Sequence, residues 1–168
     1  ESGQADNTVV IFSADNGPEK YAYARDQKFD HWSATPLRGL KRDIYEGGHH
    51  VPFVVRYPGV TTAGSTSDAL VSQIDIMATL AAIVRFQLPS QNAAEDSFNL
   101  MPLLKGRTDP VRHSLVHNTN KDAYAVRSGD WLLVDHKHGY MSGRNQRWES
   151  KHKYAADDDL PVELYNLK

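Results

Sequence analysis

An α/β fold, built from a core-sheet part followed by a small antiparallel sheet with a packed helix, is predicted by three observations. The first is the stretch Asn7-Thr8-Val9-Val10-Ile11-Phe12-Ser13-Ala14-Asp15-Asn16-Gly17, an apolar β-branched run that stops abruptly in two oxygen-bearing side chains and a glycine. Without polar alternation, such a run reads as a strand buried on both faces of a parallel sheet. The second is a helical recurrence of Ile76, Leu80 and Ile83. The third is a series of short strand-like segments after residue 107.

The elements follow in order. Thr8–Ser13 and Phe53–Tyr57 read as core strands, joined by a long polar connection over residues 17–50. A connection of that length is usually a functional loop. A helix is expected from about Ser72 or Asp75 to Phe86, with Ser72 and Asp75 as a start resembling a capping box. Met77 on that helix reads as packing. Leu88-Pro89 closes the helix region, and the polar residues 90–99 lead to Leu100–Leu104. Ser114–His117, Tyr124–Arg127, Trp131–Val134 and Glu163–Leu167 are the four later strands, with Ser128-Gly129-Asp130 as a hairpin turn. Residues 135–161 form a polar excursion between two of them. The expected organisation is 1–106 as part of an α/β core and 107–168 as a small antiparallel subdomain.

Ligands of open α/β sheets bind beyond the carboxyl ends of the strands. Asp15 and Asn16 stand at such an end, a carboxylate beside an amide carbonyl, the donor type that Ca2+ or Mg2+ prefers. Taken alone, Asp-Asn-Gly is also an ordinary turn. The context that follows is Pro36-Leu37-Arg38-Gly39-Leu40-Lys41, then Glu46-Gly47-Gly48-His49-His50-Val51-Pro52, a strand, and Pro58-Gly59. This order resembles the second signature region of the sulfatase family: a D-N-G strand end, L-R-G-x-K, E-G-G-x-R-x-P, a strand and a P-G turn. Weaker pieces of the likeness run through Ile74–Leu80, Leu100–Gly106, Ala125–Trp131 and Glu163–Leu167.

The resemblance implies an alkaline-phosphatase-like fold and a calcium-dependent sulfate ester hydrolase, with Mg2+ as the alternative ion. It assigns Asp15 and Asn16 to the metal and Lys41 to the sulfate as catalytic and substrate-binding residue. Arg38 is assigned to substrate, its alternative being a carboxylate that holds the loop. Glu46-Gly47-Gly48 is expected to serve architecture. His50 stands where the family usually has arginine. Neighbouring His49 and His50 would point to opposite faces of an extended chain, so both are read as structural, not as a joint metal site. His113 and His117 are read as exposed or hydrogen-bonded histidines. The aromatic residues Tyr21, Tyr23, Phe29, His31 and Trp32 could either pack the loop or stack on a sugar or aryl group.

Family members carry a formylglycine made from the cysteine or serine of a C/S-x-P-x-R motif. The chain has no cysteine, and Ser90 lacks that context. The resemblance therefore implies the C-terminal portion of a longer sulfatase, inactive alone, whose partners are the rest of the chain and a sulfated small molecule or glycan. A phosphonate or phosphodiester hydrolase of the same superfamily, or a catalytically dead calcium- or glycan-binding homologue, is the alternative. A periplasmic, secreted or lysosomal setting is implied in the same way. The net charge of −2 and the scattered basic residues give no case for nucleic acid. The Asp157-Asp158-Asp159 run reads as a solvated loop. No apolar stretch approaches the roughly 20 residues of a membrane-spanning helix.

Overall fold

A computed structural model describes residues 2–89, 93–154 and 160–168; the Asp157–Asp159 run, Ser90 and parts of the 90–99 and 135–161 segments lie outside the described residues. The chain divides into two compact units, Glu1–Phe12 with Val54–Leu115, and Ser13–Phe53 with Val116–Lys168.

In the first unit, the strands β1 (Val10–Ser13) and β2 (Phe53–Arg56), whose ends reach into the second unit, form a two-stranded sheet. The strands are where the sequence predicts them, but their exposure is not. Val10 is 48% exposed and Phe12 63%. A sheet of two four-residue strands leaves these side chains open, so the expectation of burial on both faces is not met within this chain. Several turns farther on lie the helices formed by Asp75–Ile83 and Met101–Leu104.

The Asp75–Ile83 helix also departs from its expected packing. Met77 is 55% exposed and Leu80 42%, while Asp75 and Thr79 are buried. The physical reason is a polar network that draws the other face inward. Arg112 donates to both Asp75 oxygens, at 2.5 and 3.3 Å. Ser72 and Phe98 add their backbone N–H groups to the same carboxylate. The Thr79 hydroxyl donates to Asp75 O and accepts from Leu100 N. A buried charge needs this degree of pairing. The Ser72–Asp75 contact is the backbone half of the expected capping box.

In the second unit, the segment between β1 and β2 is more structured than a polar connection. It contains α1 (Tyr21–Phe29) and α2 (Glu46–His49). Numbering on, the helices of the first unit are α3 (Asp75–Ile83) and α4 (Met101–Leu104), and α5 (Gln146–His152) lies in the excursion. The strands β3 (Ser114–Asn118), β4 (Tyr124–Ser128), β5 (Trp131–Asp135) and β6 (Glu163–Asn166) form one sheet in the order β3-β4-β5-β6. The β4–β5 and β5–β6 pairs are antiparallel, and Ser128 opposite Trp131 leaves Gly129-Asp130 as a two-residue turn. All four strands match the sequence expectation.

Two clusters hold this unit together. Ala125, Leu132 and Val134 bury against Ile44, with Tyr165 beside them. Ala22, Trp32, Leu40 and Trp148 form the other, joined by Tyr23 and Tyr154. Trp32 and Trp148 lie 4.3 Å apart between ring centroids. Each cluster takes one residue from the 38–50 segment, so that segment is pinned by apolar burial at Leu40 and Ile44.

Candidate active site

Residues 15–19 and 38–50 are zipped together by main-chain contacts. Gly17 N donates to Gly48 O and Lys41 N donates to Pro18 O, both at 2.9 Å. The approach is so close that only glycine fits. A Cβ on Gly17 would lie 1.8 Å from Gly47 O, and one on Gly47 would lie 2.2 Å from Gly39 O. Gly17 is thus explained by steric need, since it lets the Asp15-Asn16 turn rest on the loop that carries Lys41, while Gly47 lets that loop close on its own main chain at Arg38 and Gly39.

Asp15 is exposed, and its carboxylate has no hydrogen-bond or ion-pair partner among the described residues. Asn16 is half-buried; its Nδ2 donates to Gly17 O at 2.9 Å, which fixes the amide and reserves its Oδ1 as an acceptor. An unengaged carboxylate beside an oriented carbonyl fits a hard cation. Such an ion takes about six to eight oxygens. Among the described residues no group of three or more His, Cys, Asp or Glu side chains could hold a metal. The pair therefore suits a partial ligand set.

Lys41 Nζ lies 2.9 Å from Glu19 Oε1, and Arg42 Nη1 lies 3.4 Å from the other oxygen of the same carboxylate. The Lys41 side chain is 31% exposed. The hydrogen bond from Lys41 outweighs slight desolvation and holds the Glu19 carboxyl below the usual range. Sequence reasoning passed over Glu19, although its place two residues after the Asp-Asn-Gly turn was visible.

Arg38 is placed differently from an open substrate contact. Its Nε donates to Tyr140 OH at 2.7 Å, Nη1 to Tyr165 OH at 3.2 Å and Nη2 to Glu149 Oε1 at 3.3 Å. The guanidinium also lies 4.2 Å from the Tyr45 ring centroid. These contacts engage it with the chain's own aromatic and acidic groups.

Glu46 pairs with Arg127, and its Oε2 is 3.3 Å from His50 Nδ1. Burial pushes its carboxyl up, but the His50 hydrogen bond and the Arg127 charge outweigh this and hold it below the usual range. His49 is turned inward against His117, ring centroids 4.3 Å apart, while His50 is exposed. The two are successive residues at the end of a helical turn, not an extended chain, and still face different surroundings. His117 Nε2 is 3.2 Å from Ile44 O. Of the loop aromatics, Trp32 is buried and Tyr23 half-buried, whereas Tyr21 and Phe29 are 70% and 64% exposed. His31 and His113 are exposed.

The sulfatase family model matches residues 1–85, half of the chain. The chain belongs to the sulfatase family. An N-acetylgalactosamine-6-O-sulfatase of Bacteroides thetaiotaomicron is 37% identical over 134 residues, covering 77% of this chain and 26% of the relative. Human arylsulfatase A is 36% identical over 134 residues, covering 77% and 25%. A structure from work on the metabolism of multiple glycosaminoglycans by Bacteroides thetaiotaomicron superposes with a TM-score of 0.72 and 30% identity, covering 96% of this chain and 33% of that one. The chain thus spans about a quarter of the length of these curated sulfatases. The α/β sulfatase fold expected from the sequence is the one observed. Among the described residues no helix is long and apolar enough to cross a membrane.

Proposed function

We propose that this chain is the C-terminal part of a calcium-dependent, formylglycine-type sulfatase acting on sulfated sugars. The observation that carries the reading is the glycine contact at Gly17, Gly47 and Gly48, which sets an oxygen-donor turn against a loop bearing a lysine. Asp15 and Asn16 would hold Ca2+, or Mg2+, together with carboxylates from the rest of the protein. When bound, that cation supplies Lewis acidity at the sulfate. Lys41 offers a compact positive charge for a nonbridging sulfate oxygen. Glu19 holds that ammonium in place before substrate arrives, and Arg38 secures the loop that carries it.

The nucleophile belongs to the part of the protein outside this sequence, so the 168-residue chain is inactive alone. The same part covers Val10 and Phe12, which are open here. Sulfated sugar is favoured as substrate because a similar protein is named an N-acetylgalactosamine-6-O-sulfatase.

Calcium titration of the full-length protein tests the metal assignment, read by calorimetry and by sulfatase activity. Asp15→Ala removes a charged ligand and weakens both strongly, while Asn16→Ala removes a neutral oxygen and costs less. Unchanged calcium affinity in the Asp15 variant would refute the assignment.

A further inference from the structure

Lys41 sits in a turn over residues 40–43 that the chain closes on itself. Asp43 is fully buried; its Oδ2 accepts from Leu40 N and its own N donates to Leu40 O, both at 2.8 Å. Closing the ends of a turn leaves the carbonyls at its middle in need of partners. Arg42 adds strain, since its φ of 73° lies in the left-handed region that favours glycine. Such a residue keeps that conformation only where its surroundings hold it.

Two hydroxyls, 77 and 101 residues away in the same compact unit, supply the hold. Thr119 Oγ1 donates to Arg42 O at 2.8 Å, and Ser142 Oγ donates to Lys41 O. Each is itself anchored. Thr119 N donates to Ala123 O at 3.0 Å in the connection from β3 to β4, and Ser142 N donates to Asp43 Oδ1 at 2.9 Å. With Lys41 N on Pro18 O, both main-chain polar groups of the lysine are engaged.

We propose that Ser142 and Thr119 are positioning residues for Lys41, fixing the backbone from which its ammonium reaches the sulfate. The inference rests on the sulfatase reading for the task of the lysine, while the hold on the turn stands on the hydrogen bonds alone. The connections of the four-stranded sheet then contribute to turnover through Lys41, because an electrostatic contact is worth most when it is held in place beforehand.

The test compares full-length wild type with Ser142→Ala, Thr119→Val and Thr119→Ser, each with and without Lys41→Ala. Both side chains are only partly buried, so their hydroxyls can be removed without opening the core. On an aryl sulfate, kcat falls about tenfold in Ser142→Ala and in Thr119→Val with little change in KM, the mark of a misplaced catalytic group. Thr119→Ser keeps the hydroxyl and the wild-type rate. On the Lys41→Ala background the same changes cost nothing further, since residues that act as one unit are not additive. Equal losses with and without Lys41 would overturn the proposal and reduce the hydroxyls to a general effect on stability.

A second readout needs no turnover. Amide hydrogen exchange over residues 40–43 quickens in Ser142→Ala and Thr119→Val. Quickened exchange in a protein that hydrolyses no sulfate ester would keep the hold on the turn and sink the sulfatase reading. Unchanged exchange in an active sulfatase would do the reverse.

Discussion

Glu19 and Lys41 form an ion pair of 2.9 Å across the contact between the Asp15-Asn16 turn and the basic loop. Their backbones meet at the same place, where Lys41 N donates to Pro18 O. The lysine is therefore held from both ends. Because the pair is partly exposed, its effect is on the position and availability of the ammonium more than on stability.

From this a competition follows. Glu19→Gln releases the ammonium from its carboxylate and removes a negative charge that an incoming anion must face. Inorganic sulfate should inhibit the full-length Glu19→Gln enzyme severalfold more tightly than wild type, with the difference shrinking at high salt. Equal inhibition constants at low ionic strength would show that Glu19 does not compete for Lys41.

The glycine contact predicts an intolerance that is steric. Gly47→Ala would place a methyl 2.2 Å from Gly39 O and 2.6 Å from Arg38 O, both main-chain atoms that cannot swing aside. Forced overpacking of this sort costs about 1–3 kcal/mol or more. Chemical denaturation of the full-length protein measures it, and a loss below about 0.5 kcal/mol, the range of an ordinary surface change, would mean that the 38–50 segment does not close on itself so tightly.

Acid sensitivity should arise from the half-buried imidazole pair His49 and His117. Burial pushes His49 down to about 4, with His117 lowered for the same reason. Between that value and the unfolded value near 6.5, the unfolded chain binds more protons than the folded one. Stability is therefore fully present above about pH 6.5 and declines as pH falls toward 4. Melting temperatures at pH 7 and pH 5 should differ less in His49→Phe than in wild type. An identical pH dependence in both would remove His49 from this role.

Much of this arrangement was legible in the sequence, and the rest shows what pattern reading omits. The β4–β5 hairpin was visible because alternating apolar residues flank a turn containing Gly129. The oxygen-donor turn and the two glycine-bearing motifs were visible as chemistry in a fixed order. Helix α1 was not, because Tyr21 and Phe29 stay exposed and give it no apolar stripe. Helix α5 was hidden in a polar stretch, although Asn145 caps it by accepting from Trp148 N. Met77 misled because helical spacing does not distinguish a core face from an open one. The Asp75–Arg112 pair inverted that choice across 37 residues, a separation no local pattern reports. Arg38 was ambiguous for a related reason: Tyr140, Tyr165 and Glu149 are more than 100 residues away in sequence.

The central claim is that Lys41 meets the sulfate while Asp15 and Asn16 meet the metal. Steady-state turnover and calcium binding of Lys41→Ala in the full-length enzyme test it most directly. Removing one preorganised electrostatic contact of the transition state costs about 10² to 10³ in rate. The account predicts a loss of that size in kcat on an aryl sulfate, calcium affinity unchanged, and only partial recovery in Lys41→Arg, whose planar fork cannot occupy the same point. Turnover within about threefold of wild type, far short of that loss, would contradict it and make Lys41 a loop residue paired with Glu19.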